Sequence, residues 1–302
     1  MLNRFWNIKS RLYRREALWS YIFIAPFLAG LGVFYLYAFF NNIYISFTNK
    51  RTFGIPAFIG LQNFVKLFGD PRFRSSLGNT LKYVLFCVPA VIIFSTLIAC
   101  LLNSKIKFTG LYRTLIFIPA VTMPAAIGLV WRWMMNYEFG LINAFLGLSG
   151  AAPLAWLSDP NLSLPAVSIV LVWADVSTKM VILLAGIQGI PRIYYEAATI
   201  DGAGNIRCFF TITIPLLSPM IFFCLIMESI GVFQIFDFIY LMIPRLSSGM
   251  PGARSVIWLF YDEAFARSNE GYASAVTVVL FFIILAITVI QLVVRRRWVY
   301  EE

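Results

Sequence analysis

The sequence predicts an all-α membrane protein with six transmembrane helices, and three observations lead to that fold class. The chain has 302 residues, of which 60% are hydrophobic and only 13% are charged, and its mean hydropathy is +0.81. An ordinary soluble domain has about 45–50% apolar and roughly 25% charged residues, so the surplus apolar surface requires a lipid environment. Aromatic residues make up 17% of the chain, enough for belts at both membrane interfaces. This composition excludes a soluble enzyme or binding protein.

Six stretches are apolar over the length of about 20 residues that a spanning helix needs. They cover residues 19–45, 77–102, 111–135, 164–189, 210–233 and 272–294. The first follows basic residues, as in a signal peptide, but its apolar run is too long and no small-residue cleavage site follows it. We therefore expect a cytoplasmic N-terminal segment over residues 1–18, a six-span domain over 19–294, and a cytoplasmic C-terminal tail over 295–302.

The distribution of Lys and Arg predicts the orientation of the spans. With both termini in the cytoplasm, the segments on that side carry 13 basic residues and the outer connections carry 8. The remaining three, Lys82, Arg132 and Lys179, lie within or beside spans. Cytoplasmic loops are the ones that carry basic residues in excess, so we expect both termini inside the cell. The net charge of +10 then reflects loops beside anionic lipid, and no nucleic acid is expected as a partner.

Residue types that carry much of enzyme chemistry are missing or scattered. The chain has no histidine, which excludes histidine metal sites, Ser-His-Asp triads and histidine proton relays. The four cysteines lie in or beside apolar runs without any C-x-x-C pair. We predict that they are small buried hydrophobic residues, with no disulfide and no metal site. No residue is nominated as catalytic.

The most informative segment is the connection between the fourth and fifth spans, residues 190–209. Its apolar residues recur at helical spacing: Ile193, Ala197, Ile200 and Ala203. Pro191 suits the first turn of a helix, and Asp201-Gly202 and Gly204 favour an end and a sharp reversal. The pattern predicts a short amphipathic helix along the membrane. By itself it is equally compatible with an ordinary interfacial helix and with one that binds a partner.

This segment also contains a motif that resembles the EAA motif of ABC-importer permeases. The matching residues are Glu196-Ala197-Ala198, Asp201-Gly202-Ala203 and Ile212-Thr213-Ile214-Pro215. Further stretches resemble the carbohydrate-uptake branch, of the maltose and glycerol-phosphate type: Gly60-Leu61-Gln62-Asn63-Phe64, Asp70-Pro71, Asn79-Thr80 and Gly271-Tyr272-Ala273. The resemblance covers nearly the whole chain. It implies the fold of a type I ABC-importer permease with a short cytoplasmic coupling helix.

The resemblance implies that this chain couples transport to a separate ATPase subunit and does not hydrolyse ATP itself. The residues implied in ATPase coupling are Tyr195, Glu196, Ala197, Ala198, Asp201, Gly202 and Gly204. Glu196 would be the charged contact, Ala197 and Ala198 the close-packing face, and Gly204 the turn. The chain also has no G-x-x-x-x-G-K-[ST] phosphate loop, so no cofactor is expected on it, and ATP and Mg are expected on the partner subunits.

The same resemblance implies the other partners and the location. They are a second homologous permease in a heterodimer, two ATPase subunits, an extracytoplasmic solute-binding protein that docks on the outer loops, and a carbohydrate substrate. The chain is expected as a multi-pass protein of the cell membrane, plasma or inner. We expect the substitution Gly204→Asp to uncouple transport while the complex stays assembled.

Polar residues within the spans are candidates for the substrate path, because charge at membrane depth is costly. Asp175 and Lys179, four residues apart, have the spacing of an ion pair on one helix face, while Glu228 has no evident partner in the sequence. Arg132 is expected to snorkel to the interface. Sugar sites combine aromatic faces with a few polar groups, and position relative to the motif nominates Trp173, Asp175, Glu228, Phe233 and Gln234. The alternative for each is packing against the partner subunit.

Three other functions stay open at this point. An ABC importer for a non-sugar solute, such as a phosphorylated polyol or a peptide, would share the motif. An ion-driven secondary transporter would need carboxylate or histidine relays, and no inverted repeat is evident. A membrane-embedded transferase would need clustered catalytic carboxylates, whereas the acidic residues here are scattered.

Overall fold

The structure is a computed structural model that describes residues 11–52, 54–104 and 107–295. The predicted terminal segments, 1–18 and 295–302, lie mostly outside the described residues. The described chain is helical, and its only β pairing is an isolated antiparallel bridge between Thr48 and Phe58. The prediction of an all-α fold is confirmed.

Five single helices in the described part of the chain are long and apolar enough to span a membrane. They are Glu16–Ser46, Pro71–Asn103, Ser163–Gly189, Asn205–Phe233 and Glu270–Arg295. Each contains one of the stretches predicted from the sequence, so five predicted spans are confirmed. We number them the first, second, fourth, fifth and sixth spans.

The third predicted span, residues 111–135, is not one continuous helix. It is divided into Thr109–Val121 and Pro124–Met134, whose axes differ by 99°. Met123, at the break, has ψ 129°. Proline disfavours the α conformation in the residue before it and has no N–H to continue the helical hydrogen bonds. The predicted third span is therefore present as two helices joined at a sharp bend, and we call this pair of helices the broken third span.

The connections contain short helices, and three segments have π-helical hydrogen bonding. The short helices are Gln62–Gly69, Leu141–Leu148, Arg192–Ile200, Asp237–Met242, Met250–Ala253 and Val256–Tyr261. The π-helical segments are Leu31–Tyr37, Phe209–Thr213 and Asp262–Ala266. The first two interrupt the first and fifth spans without breaking them, and the third lies in the connection before the sixth span.

The long connections meet at one end of the bundle, which we call the loop-rich end. Ser163 Oγ donates to the Gly249 carbonyl at 2.8 Å, and Arg72 Nη1 donates to Glu263 Oε1 at 2.6 Å. The segment that joins the fourth and fifth spans lies at the opposite end, where the chain reverses between Gly189 and Asn205.

Asp70 illustrates how the loop-rich end is held together. Its carboxylate caps the second span by accepting from the backbone N–H of Arg72 at 2.8 Å, and it accepts from the Tyr272 hydroxyl at 2.7 Å. Burial would raise the pKa of Asp70, but the hydrogen bonds from Tyr272 and Arg72 outweigh it and hold the pKa below its ordinary value. One carboxylate thus joins the second and sixth spans.

The second, fourth and fifth spans form the centre of the bundle. Cys87 and Cys224 are buried there, as predicted, whereas Cys100 and Cys208 are only half-buried and differ from the prediction in this respect. The fourth and fifth spans approach closely at Gly186, where a Cβ would lie 2.7 Å from Leu217 Cδ1. The first span differs, because none of its apolar window is buried against the described chain. Its surface is left for lipid or for another protein.

Candidate functional site

The helix Arg192–Ile200, between the fourth and fifth spans, exposes its apolar side chains. It is preceded by Pro191, and none of its residues is buried against the described chain. Ile200 is 88% exposed and Ile193 is also exposed. An exposed apolar surface of this kind is typical of a binding face. We call residues 191–204 the coupling segment.

The coupling segment ends in a glycine turn at Gly202, two residues before Gly204, the residue to which the resemblance assigns the turn. Gly202 has φ +75°, and the N–H groups of Ala203 and Gly202 donate to the carbonyls of Ala198 at 2.9 Å and Thr199 at 3.1 Å. This is the Schellman arrangement of a helix end. Gly204 has an extended backbone, and nothing lies within 4 Å of a Cβ placed on it. The turn therefore depends on Gly202, whereas Gly204 is an exposed position with free space around it.

One side of the coupling segment contacts the helical bundle, and the other side is exposed. The Tyr195 hydroxyl is 3.0 Å from Thr213 Oγ1 at the start of the fifth span. Tyr195 and Ala198 are half-buried, whereas the other predicted coupling residues are exposed: Glu196, Ala197, Asp201, Gly202 and Gly204. The residues proposed for coupling thus form one accessible surface with Tyr195 as its attachment.

A polar cavity of about 370 Å³ lies between the broken third span and the fourth and fifth spans. Its polar lining consists of Thr122, Asp175, Thr178, Lys179, Glu228, Gln234 and Asp237. The break at Pro124 contributes to the same wall, so the bend that the sequence did not predict shapes the cavity. Three of the five residues nominated from the sequence for the substrate path, Asp175, Glu228 and Gln234, line it together.

Lys179 forms an ion pair across two spans and not along one helix. Its Nζ is 2.6 Å from Glu228 Oε2 on the fifth span, whereas in the described chain its interaction with Asp175 is electrostatic without a salt bridge. The helical-spacing interpretation of Asp175 and Lys179 is corrected in this respect. Lys179 is not among the residues that the sequence nominates for the path, although a lysine at membrane depth is a sufficient signal.

Glu228 is the most buried member of this cluster, with 1% of its surface exposed. Its Oε1 has no hydrogen-bond partner in the described chain. Asp175 and Lys179 both interact electrostatically with it. Two carboxylates and one ammonium therefore share a small volume, and one buried acceptor remains unused.

The other two nominated residues lie elsewhere. Trp173 lines a separate apolar groove of about 610 Å³ beside Phe86 and Phe94, and its ring packs edge-on against Trp131 with centroids 5.6 Å apart. Phe233 is 1% exposed in a core cluster that includes Tyr272. The positions of Trp173 and Phe233 in the sequence put both residues near the path. The direction in which their side chains point depends on the rotation of each helix.

Comparisons with known proteins agree with this architecture. Residues 68–300 match the family model of the binding-protein-dependent transport system inner membrane component. The chain is 35% identical over 297 residues to the probable ABC transporter permease protein YesP of Bacillus subtilis, covering 97% of this chain and 96% of that protein. It is 32% identical over 292 residues to the trehalose/maltose transport system permease protein MalF of Thermococcus litoralis, covering 96% and 98%.

A solved structure shares the fold. A chain of a bacterial alginate ABC transporter, in complex with an alginate pentasaccharide-bound periplasmic protein, superposes with a TM-score of 0.86 at 19% identity. The match covers 95% of this chain and 98% of that chain. At this identity the likeness establishes the fold alone.

Proposed function

Because the chain belongs to the family of binding-protein-dependent transport system inner membrane components, we propose that it is the permease subunit of an ATP-driven carbohydrate importer. It forms part of the translocation path and transmits the movement of separate ATPase subunits to that path. The observation that carries the proposal is an exposed coupling segment at one end of the fourth and fifth spans, which also line a polar cavity. Relatives named for trehalose/maltose, lactose and arabinooligosaccharide transport support the substrate class.

The coupling segment has the properties of a surface that fits into another protein. None of the residues of its helix is fully buried in the described chain, and its end contains only small residues at 202–204. Small residues allow close approach of a second backbone. Tyr195 links the segment to Thr213, so a displacement of the segment is transmitted to the fifth span. We propose that Glu196 supplies the charged contact to the ATPase.

The polar cavity is the proposed carbohydrate path through this subunit. Sugars present many hydroxyl groups, which both donate and accept hydrogen bonds, and the cavity offers carboxylates, an ammonium and the Gln234 amide. The unused Glu228 Oε1 is an acceptor for such a hydroxyl when the cavity opens. A buried acceptor without a partner is otherwise costly.

The proposed complex contains this chain, a second and homologous permease, two ATPase subunits that bind ATP and Mg, and an extracytoplasmic solute-binding protein. In it the coupling segment and both termini face the cytoplasm, and the loop-rich end faces outward. The basic residues of the short loops support that orientation. The exposed first span and the apolar groove at Trp173 offer surfaces for the second permease and for lipid.

The proposal is tested by reconstituting the complex, purified with its ATPase subunits and binding protein, into lipid vesicles. Candidate mono- and oligosaccharides, phosphorylated polyols and peptides are screened for stimulation of ATP hydrolysis and for uptake. We expect stimulation and uptake with at least one carbohydrate. Stimulation by another solute class and by no carbohydrate would overturn the sugar assignment. A chain that is active without ATPase subunits would instead be a secondary transporter.

Coupling is tested with the pair Gly204→Asp and Gly204→Ala. Both side chains fit the chain itself, because the backbone at 204 is extended and the surrounding space is open. Only the aspartate adds a charge to the proposed interface. We expect Gly204→Asp to keep the subunits together but abolish uptake, while Gly204→Ala retains most of it. Normal uptake by a correctly inserted Gly204→Asp complex would remove the coupling role from this position.

A further inference from the structure

Four aromatic rings at the loop-rich end form a continuous series, which we call the aromatic ladder. It consists of Phe236, Tyr240, Tyr261 and Phe265. The Phe236 ring is 4.9 Å from that of Tyr261 and 5.2 Å from that of Tyr240, centroid to centroid. Tyr261 is in turn 5.1 Å from Phe265. The rings therefore contact one another from one end of the series to the other.

The ladder arises from two helical pairs that face each other. Phe236 and Tyr240 are four residues apart at the helix Asp237–Met242, and Tyr261 and Phe265 are four apart where Val256–Tyr261 continues into a π-helical segment. Residues at this spacing share one helix face. The tertiary fold then brings the two faces together, with the Tyr240 and Tyr261 rings 5.2 Å apart.

The ladder connects the exposed surface with the polar cavity. At its outer end Phe265 is 69% exposed, and Tyr240 is exposed as well. At its inner end Phe236 lines the polar cavity beside Gln234 and Asp237. A solute with an apolar face can therefore move from Phe265 at the surface to the polar cavity and stay in contact with an aromatic ring throughout.

Charged residues around the ladder indicate that it faces water and not lipid. Asp262 pairs with Arg245 at 2.6 Å and Arg267 at 2.7 Å, and both arginine side chains are half-exposed. Arg267 also lies 3.4 Å from Glu263. Glu263 also pairs with Arg72, which pairs with Asp70, so three acidic and three basic side chains form one network in which the charges balance. An exposed phenylalanine such as Phe265 among hydrated ion pairs is a candidate contact for a solute with its own apolar face.

We infer that the aromatic ladder binds uncharged pyranose rings and guides them between the outer face and the polar cavity. The inference rests on the proposed function. A pyranose has an apolar face of C–H bonds, which packs on the electron-rich face of an aromatic ring, and an edge of hydroxyls, which hydrogen-bond to water and to tyrosine. The ring spacing of about 5 Å in the ladder matches the size of one sugar ring. As the sugar moves from one aromatic ring to the next, its apolar face stays covered at each step.

The test uses the reconstituted complex and the saccharide that the ATPase screen selects, in radiolabelled form. Tyr261→Leu and Phe265→Leu remove a ring but keep an apolar side chain. We expect each to lower the initial uptake rate roughly 2- to 12-fold, the range that one aromatic stacking contact supplies. Phe265→Tyr should restore near-normal uptake. Phe139→Leu is the matched control, since Phe139 is 61% exposed and lies outside the ladder.

A parallel measurement separates the ladder from a docking surface for the binding protein. The concentration of loaded binding protein that half-maximally stimulates ATP hydrolysis should be the same for the leucine variants and the wild type. A rise in that concentration in step with the loss of uptake would overturn the inference, and so would normal uptake by both leucine variants. A wild-type complex that carries another solute but no saccharide would overturn the proposed function and this inference together.

Discussion

The ion pair between Lys179 and Glu228 leads to an asymmetric prediction. Lys179→Met leaves the carboxylates of Asp175 and Glu228 facing each other without a cation. Glu228→Gln leaves the ammonium of Lys179 with Asp175, which already interacts with it electrostatically. The lysine substitution should therefore destabilise the protein far more than the glutamate substitution, although both remove the same ion pair.

The structure sets the magnitude. At an Nζ–Oε2 distance of 2.6 Å, the Coulomb attraction is about 6 kcal/mol at an effective dielectric constant of about 20. Desolvation offsets part of this, and removing one partner of a buried pair typically costs about 3–5 kcal/mol. With 14% of the Lys179 side chain and 1% of the Glu228 side chain exposed, solvent screens the pair weakly. We expect that full cost for Lys179→Met and about 1–2 kcal/mol, the value of a lost hydrogen bond, for Glu228→Gln.

The assay is thermal unfolding in detergent, followed with a dye that fluoresces on reaction with thiols. Cys87 and Cys224 are fully buried, so they react when the bundle opens. Lys179→Met should lower the apparent Tm on the order of 10 °C, and Glu228→Gln by less than half as much. Lys82→Met, at an exposed lysine on the second span, is the control with little effect. The reasoning is refuted if Glu228→Gln is as damaging as Lys179→Met, or if Lys179→Met behaves like the control.

Three further predictions concern the backbone, a carboxylate and helix packing. Gly202→Ala should cost about 1–2 kcal/mol in unfolding free energy because its φ is +75°, whereas Gly204→Ala should be nearly neutral in the same thermal assay. The lowered pKa of Asp70 stabilises the fold above the ordinary carboxyl pKa, and this contribution is lost as the pH falls below about 4. The apparent Tm of Asp70→Asn should therefore fall less than that of the wild type between about pH 6 and about pH 3, and parallel curves would contradict this. Gly186→Ala should cost about 1–3 kcal/mol by crowding Leu217, and the double variant with Leu217→Ala should lose less than the two single losses combined.

Much of the helical organisation follows from local sequence. Five spans are continuous apolar runs of sufficient length, and such runs become helices in lipid because their backbone groups bond within the segment. The end of the helix Arg192–Ile200 is equally local, since only Gly202 adopts its left-handed conformation without strain. The motif around Glu196 identified the family because its residues are neighbours in the chain.

The break in the third span follows only in part from local sequence. Pro124 was visible in the sequence, and the residue before a proline is biased away from the helix. Proline also occurs inside continuous helices, as Pro89 does in the second span. Whether a proline kinks a span or turns it by 99° depends on the surfaces against which the two halves pack.

The sequence by itself determined that this protein is a helical membrane protein, and it predicted a short helix between the fourth and fifth spans. Only the tertiary structure decided that Lys179 pairs with Glu228, that Trp173 and Phe233 point away from the polar cavity, and that four distant aromatic residues form one ladder. The physical reason is that hydrophobic length and helix-end chemistry act between neighbours in the chain. Which faces meet depends on the rotation and tilt of whole helices, and many residues share in setting these through packing.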